Sequence, residues 1–202
     1  TLGICDHGYV HHNIVENSTD IGIVSGGGRG CRVENNTIRQ TREHAFAGLA
    51  IHNFLGPNWN GMGDHTDAIY QKNSISSLLN LLDIGISVGM NGWGISGTHG
   101  GFVINNTATG AQVNLSVDGY SNGTVDNNTL SNPQGGCNLN YAVAYTSNSC
   151  LQPGWVIQSV RLGTYCSPTE ETIISTCNPS PTPTQTPTPT PATSTSPAPP
   201  SR

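Results

Sequence analysis

Apolar and polar positions along this chain fall into one short frame that recurs five times. The frame is an apolar residue, two variable residues, Asn, a small or β-branched residue, and a second apolar residue. It reads Val10-His11-His12-Asn13-Ile14-Val15, then Val33-Glu34-Asn35-Asn36-Thr37-Ile38 and Tyr70-Gln71-Lys72-Asn73-Ser74-Ile75. Val103-Ile104-Asn105-Asn106-Thr107-Ala108 and Val125-Asp126-Asn127-Asn128-Thr129-Leu130 complete the set. Successive Asn residues are 23, 37, 33 and 22 positions apart, and self-similarity at that period marks a stacked-repeat architecture. A second run follows each frame, at residues 21–24, 49–51, 84–88, 113–117 and 141–144. Several of these runs alternate apolar with small or polar residues, the period-two pattern of a half-buried strand. No stretch sustains a 3.6-residue period with caps. The pattern predicts two strand runs per coil, in coils that close on themselves and stack.

In such a stack a given corner lies above itself at the inter-strand spacing of about 4.8 Å. Asn accepts the left-handed backbone of a sharp corner, and its amide can bond to the identical amide one coil away. Asn13, Asn36, Asn73, Asn106 and Asn128 are therefore expected to form a structural ladder. On these five frames, over about residues 8–145, the chain resembles the right-handed parallel β-helix of the pectate-lyase-like superfamily. The resemblance implies an all-β, right-handed parallel β-helix (solenoid). It implies no single activity, because the superfamily holds lyases, hydrolases, epimerases, phage adhesins and non-catalytic surface proteins.

The organisation expected is β-helix rungs over 1–132, a disulfide-rich C-terminal cap over 133–178 that covers the open end, and a tail over 179–202. The tail holds nine of the 13 Pro and eleven Ser or Thr, a composition that builds no core and favours extended polyproline II. Thr182, Thr184, Thr186, Thr188 and Thr190 are its O-glycosylation candidates. With Thr1 so close to the first frame, a mature or truncated chain is expected.

Charge narrows the partners. Only 9% of residues are charged and the net charge is −5, so no basic stripe exists to track phosphates and nucleic acid is excluded. No apolar run reaches the length of a membrane span. Six Cys point to an oxidising compartment, hence an extracellular protein, secreted or at the cell surface. Among the possible pairings, Cys5–Cys31 is favoured because the two are about one coil apart, and Cys137–Cys150 and Cys166–Cys177 because each bracket an end loop. Asn17, Asn114 and Asn122 are N-glycosylation candidates, while the sequons at Asn35, Asn105 and Asn127 sit on the corners. No C-x-x-C or zinc spacing is present. A metal site could be drawn from His7, His11 and His12, but adjacent His11 and His12 in a strand face opposite sides, a poor joint ligand pair; solvated corner residues are the expected reading, so no metal and no cofactor are expected.

Candidate chemistry lies in the two long coils, whose extra residues fall in loops 53–67 and 89–101. Trp59 and Trp93 are 34 residues apart, as are His65 and His99, close to the local coil period, so each pair is expected to stand one above the other beside a groove. Such a groove suits a linear polysaccharide, with sugar faces on Trp59 and Trp93; the alternative is that the two Trp pack the loops together. Asp64-His65-Thr66-Asp67 is the densest ionisable cluster. Glycoside hydrolysis uses two carboxyls flanking the bond; Asp64 and Asp67 are candidates, with His65 or His99 tuning a pKa. The alternative is that both carboxylates bond turn amides. Thr66-Asp67-Ala68-Ile69 and Thr98-His99-Gly100 resemble the N-T-D-G and G-H-G elements of polygalacturonases, but the paired-Asp element and the later R-I-K are missing, so that mechanism is not carried over. A polyuronate lyase fits less well, since Arg29, Arg32, Arg39, Arg42 and Lys72 are scattered and no carboxylate cluster has calcium-ligand spacing. Two functions stand against each other. One is a secreted domain that binds or processes polysaccharide in the loop groove. The other is a non-catalytic structural or adhesive extracellular protein with a glycosylated tail, assembling end to end.

Overall fold

Each Asn frame is bent at its centre, and the bend decides the architecture. His12, Asn35, Lys72, Asn105 and Asn127 have φ of 54°, 54°, 55°, 56° and 53°. The left-handed residue is thus the one before the ladder Asn, and not, as expected from the frame, the ladder Asn itself. The bend splits every frame into two strands on different sheets, so a complete coil carries three strands rather than two. The computed structural model describes residues 3–53, 63–89, 97–131, 141–147, 149–152, 155–157, 172–173 and 177, with the backbone alone for 141–147, 155–157 and 172–173.

The first sheet holds Tyr9–His11, Arg32–Glu34, Ile69–Gln71, Phe102–Ile104, Thr124–Asp126 and Cys150–Leu151. The second holds Ile14–Glu16, Thr37–Gln40, Ser74–Ser77, Thr107–Thr109 and Thr129–Ser131. The third holds Ile21–Ser25, Ala45–His52, Leu82–Gly89, Val113–Ser121, Tyr141–Ser147 and Trp155–Ile157, closed by Thr172–Ile173. Strands pair in parallel, coil on coil, except that Thr172–Ile173 runs antiparallel to Trp155–Ile157. No helix occurs among the described residues, so none is long and apolar enough to cross a membrane. The arrangement is compatible with a parallel β-helix.

The core is a column of layers. Val10, Val33, Tyr70, Val103 and Val125 stand in register on the first sheet. Val15, Ile38, Ile75, Ala108 and Leu130 do so on the second, and Ile23, Leu49, Ile86 and Leu115 on the third. All belong to one apolar cluster. Like therefore packs on like from coil to coil, each fully buried aliphatic side chain stabilising the stack by about 1.5–3 kcal/mol. Where the third sheet passes the second, Gly22, Gly48 and Gly85 leave no room for a side chain. A Cβ on Gly48 would sit 2.5 Å from Ile75 Cγ2 and 2.8 Å from Gly85 O. Gly48→Ala is expected to cost about 1–3 kcal/mol by overpacking, measured as a lower midpoint in urea unfolding with an unchanged slope.

A ladder of amides runs down the corner between the first and second sheets. Each Nδ2 of Asn13, Asn36, Asn73 and Asn106 donates to the Oδ1 of the ladder Asn one coil on, at 2.9–3.0 Å. Each backbone N–H donates to the same oxygen at 3.0–3.1 Å. The second Nδ2 hydrogen turns back: Asn36 bonds to Val10 O, Asn73 to Val33 O, Asn106 to Tyr70 O and Asn128 to Val103 O. Gln152 ends the column, its Oε1 accepting from Asn128 Nδ2 and N and its Nε2 returning to Asn128 O. Gln152 escaped the sequence reading because no frame surrounds it; its spacing of 24 from Asn128 was the available signal.

Pairing continues past residue 132. Tyr141–Ser147 pairs with Val113–Ser121, Cys150–Leu151 with Thr124–Asp126, and Trp155–Ile157 with Tyr141–Ser147, so the segment assigned to a cap carries strands of the stack itself. Cys5 is bonded to Cys31. Cys150 is bonded to Cys177, which overturns the expected Cys137–Cys150 and Cys166–Cys177 pairs; Cys137 and Cys166 lie outside the described residues. The physical reason is the seven-residue strand Tyr141–Ser147, which at about 3.3 Å per residue carries the chain across its coil ahead of Cys150, where the expected pairing needed a local loop. The tail candidates Thr182, Thr184, Thr186, Thr188 and Thr190 also lie outside the described residues.

Candidate functional site

Between the end of each third-sheet strand and the next first-sheet strand, short segments stack into a further column. Gly28 N donates to Asp64 O and Gly30 N to Thr66 O. His65 N donates to His99 O, His99 N to Gly63 O, and Gly100 N to Ser121 O. Asp64 and His99 are direct parallel partners. That register is offset by 35 residues, whereas His65 and His99 are 34 apart. A slip of one residue moves a side chain to the opposite face, so His65 does not stand above His99: Asp64 does, and His65 turns inward.

The outer face of this column is charged. Asp64 Oδ1 lies 3.3 Å from His99 Nε2, and Asp64 Oδ2 lies 3.6 Å from Arg29 Nε. Thr66 N donates to Asp64 Oδ1 at 2.8 Å. Partial burial pushes the Asp64 carboxyl up, but hydrogen bonds from the Thr66 hydroxyl and N–H, with His99 and Arg29 close by, outweigh it and hold the group below the usual carboxylate range. Arg29 and His99 remain substantially open to solvent, at 60% and 43% side-chain exposure, against 16% for Asp64. Asp67 is exposed and sits at φ 59° in a turn, bonded neither to Asp64 nor to any other side chain among the described residues. The column brings together Arg29, Asp64 and His99. In the sequence Arg29 is one of several scattered cations, and the signal for its place beside Asp64 is the Gly-rich turn that delivers it.

His65 belongs to an interior network. Its Nε2 lies 3.2 Å from His52 O and its Nδ1 2.6 Å from Tyr70 Oη, which is 3.0 Å from Ser25 Oγ. A carbonyl only accepts, so Nε2 carries the proton and the Tyr70 hydroxyl donates to Nδ1, leaving Ser25 to donate to Tyr70. On the outer side of the third sheet His52 Nε2 meets Ser87 Oγ at 2.8 Å. Burial, and then the neighbouring His65, push His52 down to about 3. Burial pushes His65 down to about 4, against a raising pull from the His52 carbonyl and Asp64. Both imidazoles are neutral at ordinary pH, and His65, fully buried, is out of reach of a bound sugar.

Trp59 and Trp93 lie outside the described residues, as does much of loops 53–67 and 89–101. Of the sequons, Asn122 is exposed, and Asn17 uses only its Oδ1, accepting from Thr41 N, Thr41 Oγ1 and Arg42 N. Asn114 is buried, with Oδ1 accepting from Ala111 N and Nδ2 donating to Ser131 O. That nitrogen is unavailable to a glycan in the folded chain, so Asn114 is withdrawn as a candidate. Compared with protein-family models, with curated proteins and with solved structures, the chain matches none.

Proposed function

We propose that this protein is a secreted, carbohydrate-engaging stack of the right-handed, pectate-lyase-like kind, and that it binds polysaccharide along the Arg29–Asp64–His99 column without cutting it. Support for the hand is general: parallel crossover connections are right-handed in nearly all known cases. The disulfides Cys5–Cys31 and Cys150–Cys177 favour an oxidising, extracellular setting. The observation that carries the reading is the stacked trio itself. A carboxylate held ionised between a guanidinium and an imidazole, on successive coils, offers alternating acceptors and donors to sugar hydroxyls. Hydrolysis of a glycosidic bond requires one carboxyl kept protonated. Asp64 is shifted the opposite way, and Asp67 is exposed in its turn. Binding is therefore favoured over processing.

The test is a glycan array run with wild type, Asp64→Asn and His99→Gln, alongside reducing-sugar release on the ligands that bind. Retention of a polysaccharide by wild type, at least tenfold weaker retention by both variants, and no sugar release are expected. An empty array on a broad panel ends the proposal, and sugar release lost in Asp64→Asn would convert it to an enzyme.

A structural or adhesive role remains the second reading, favoured by the outer face of the second sheet. There Thr37, Ser74, Thr107 and Thr129 stand in one register column and Ser76, Thr109 and Ser131 in the next, and Ser131 Oγ bonds to Thr109 Oγ1. These regularly spaced hydroxyls, below Ile14 in one column and the Glu16–Arg39 ion pair in the other, suit side-by-side or end-to-end assembly. Negative-stain imaging of native material would show rods under that reading and dispersed monomers otherwise.

A further inference from the structure

The first coil carries a pair of imidazoles that no role so far uses. In an uninterrupted strand His11 and His12 would point to opposite sides. Here His12 takes the left-handed corner conformation at φ 54°, which breaks the alternation and turns its ring to the same side as that of His11. The two Nδ1 atoms come within 2.8 Å of each other, and the rings meet edge to face at 5.1 Å. Tyr9 stacks on His11 at 4.1 Å and so sets the orientation of that ring. Both His are exposed, and neither Nε2 has a hydrogen-bond partner among the described residues.

We infer that His11 and His12 form a surface site for a divalent first-row transition ion, copper(II) foremost, bound through the two Nδ1 atoms with solvent filling its other positions. A nitrogen–metal bond of about 2.0–2.1 Å and a ligand–metal–ligand angle of roughly 90–110° place two ligand nitrogens about 2.9–3.4 Å apart. The pair needs to open by only a few tenths of an ångström from its hydrogen-bonded separation, and the rings to turn so that both Nδ1 lone pairs converge on one point. Binding moves the proton held between the two Nδ1 atoms, through water, to the Nε2 that lacks one, so that both neutral imidazoles keep Nε2–H and offer Nδ1 to the metal. Imidazole donors select copper, nickel or zinc over calcium or magnesium, and copper(II) heads the affinity order. The surroundings do not oppose a cation. Arg32, whose guanidinium lies over the Tyr9 ring, is neutralised by Glu34 at 2.7 Å, and Glu34 also accepts from Tyr9 Oη and Gln71 Nε2. Glu34 is paired to His11 in register but its oxygens are committed to these donors, so it supports the site without ligating. Among the described residues no group of three or more His, Cys, Asp or Glu converges. The site is accordingly open-sided, and the ion is exchangeable rather than structural.

The experiment is calorimetric titration of untagged, chelator-stripped protein with copper(II), paired with electron paramagnetic resonance of the loaded protein. The variants are His11→Gln, His12→Asn and, as a control, His44→Gln. Asn at 12 keeps a residue that tolerates the left-handed corner, and circular dichroism checks the fold of each variant. One saturable site is expected, with resonance from two nitrogen ligands. The loss in each of His11→Gln and His12→Asn should be at least about tenfold, the effect typical of removing even a ligand's supporting partner, with His44→Gln unchanged. No saturable binding in wild type, or a loss confined to one of the two variants, overturns the paired site.

Discussion

Replacing Asn73 by Leu is expected to lower the free energy of unfolding by about 3–6 kcal/mol, more than any single substitution on the surface of the coils. The Asn73 side chain takes part in four hydrogen bonds. Its Nδ2 donates to Asn106 Oδ1 and Val33 O, and its Oδ1 accepts from Asn36 N and Asn36 Nδ2. Leu keeps the volume but strands the Asn36 N–H, one Asn36 Nδ2 hydrogen and the Val33 carbonyl in a corner that water does not reach. Each unsatisfied buried group costs about 1–3 kcal/mol, and the coil above and the coil below both lose their join. Asn13→Leu is the internal control. Asn13 lies exposed at the top of the column, its side chain accepts from no other ladder residue, and its loss should cost only about 1 kcal/mol. Equilibrium unfolding in urea, followed by circular dichroism, measures both, and equal losses at 73 and 13 would show that the ladder does not hold the coils together.

Acid should destabilise this protein well before its carboxylates are protonated. His52 and His65 are pushed down to about 3 and about 4 in the folded chain, against about 6.5 when unfolded. The unfolded state therefore takes up protons first as pH falls. The stability linked to the two groups is fully present above about pH 6.5, declines below it, and stops declining only near their folded values. At pH 5 each His removes about 2 kcal/mol relative to pH 7.5, and roughly 4 kcal/mol is a large share of the stability of a single domain. Denaturant midpoints measured from pH 7.5 to 4.5 test this. His65→Gln and His52→Gln should each flatten the fall by about half, whatever their stability at pH 7.5. An unchanged profile in both would mean that the buried imidazoles do not control the acid limb.

What could be read along the chain was whatever repeats locally. The five ladder Asn positions and the inward apolar residues on either side of them follow from a frame six residues long, because strand alternation and corner chemistry are local properties. The pairing of Cys5 with Cys31 was visible for the same reason, the two being about one coil apart. Features that depend on register between coils were not visible. His65 and His99 looked like partners at an offset of 34, yet the stack pairs Asp64 with His99 at 35, and one residue of slip sends His65 into the core.

By itself, then, the sequence determined an all-strand chain of stacked parallel coils, with the polar column at its corners and few charged residues. Tertiary structure alone decided three things. It placed the left-handed bend one residue ahead of each ladder Asn, which made three strands per coil and brought His11 and His12 together. It decided that Asp64 rather than His65 faces outward between Arg29 and His99. It joined Cys150 to Cys177 across the end of the stack. The first is a choice within each corner that the residue types of the frame leave open; the other two share a reason, since a frame fixes which way a side chain points within its own strand, whereas neighbours from other coils depend on the number of residues in the loops between.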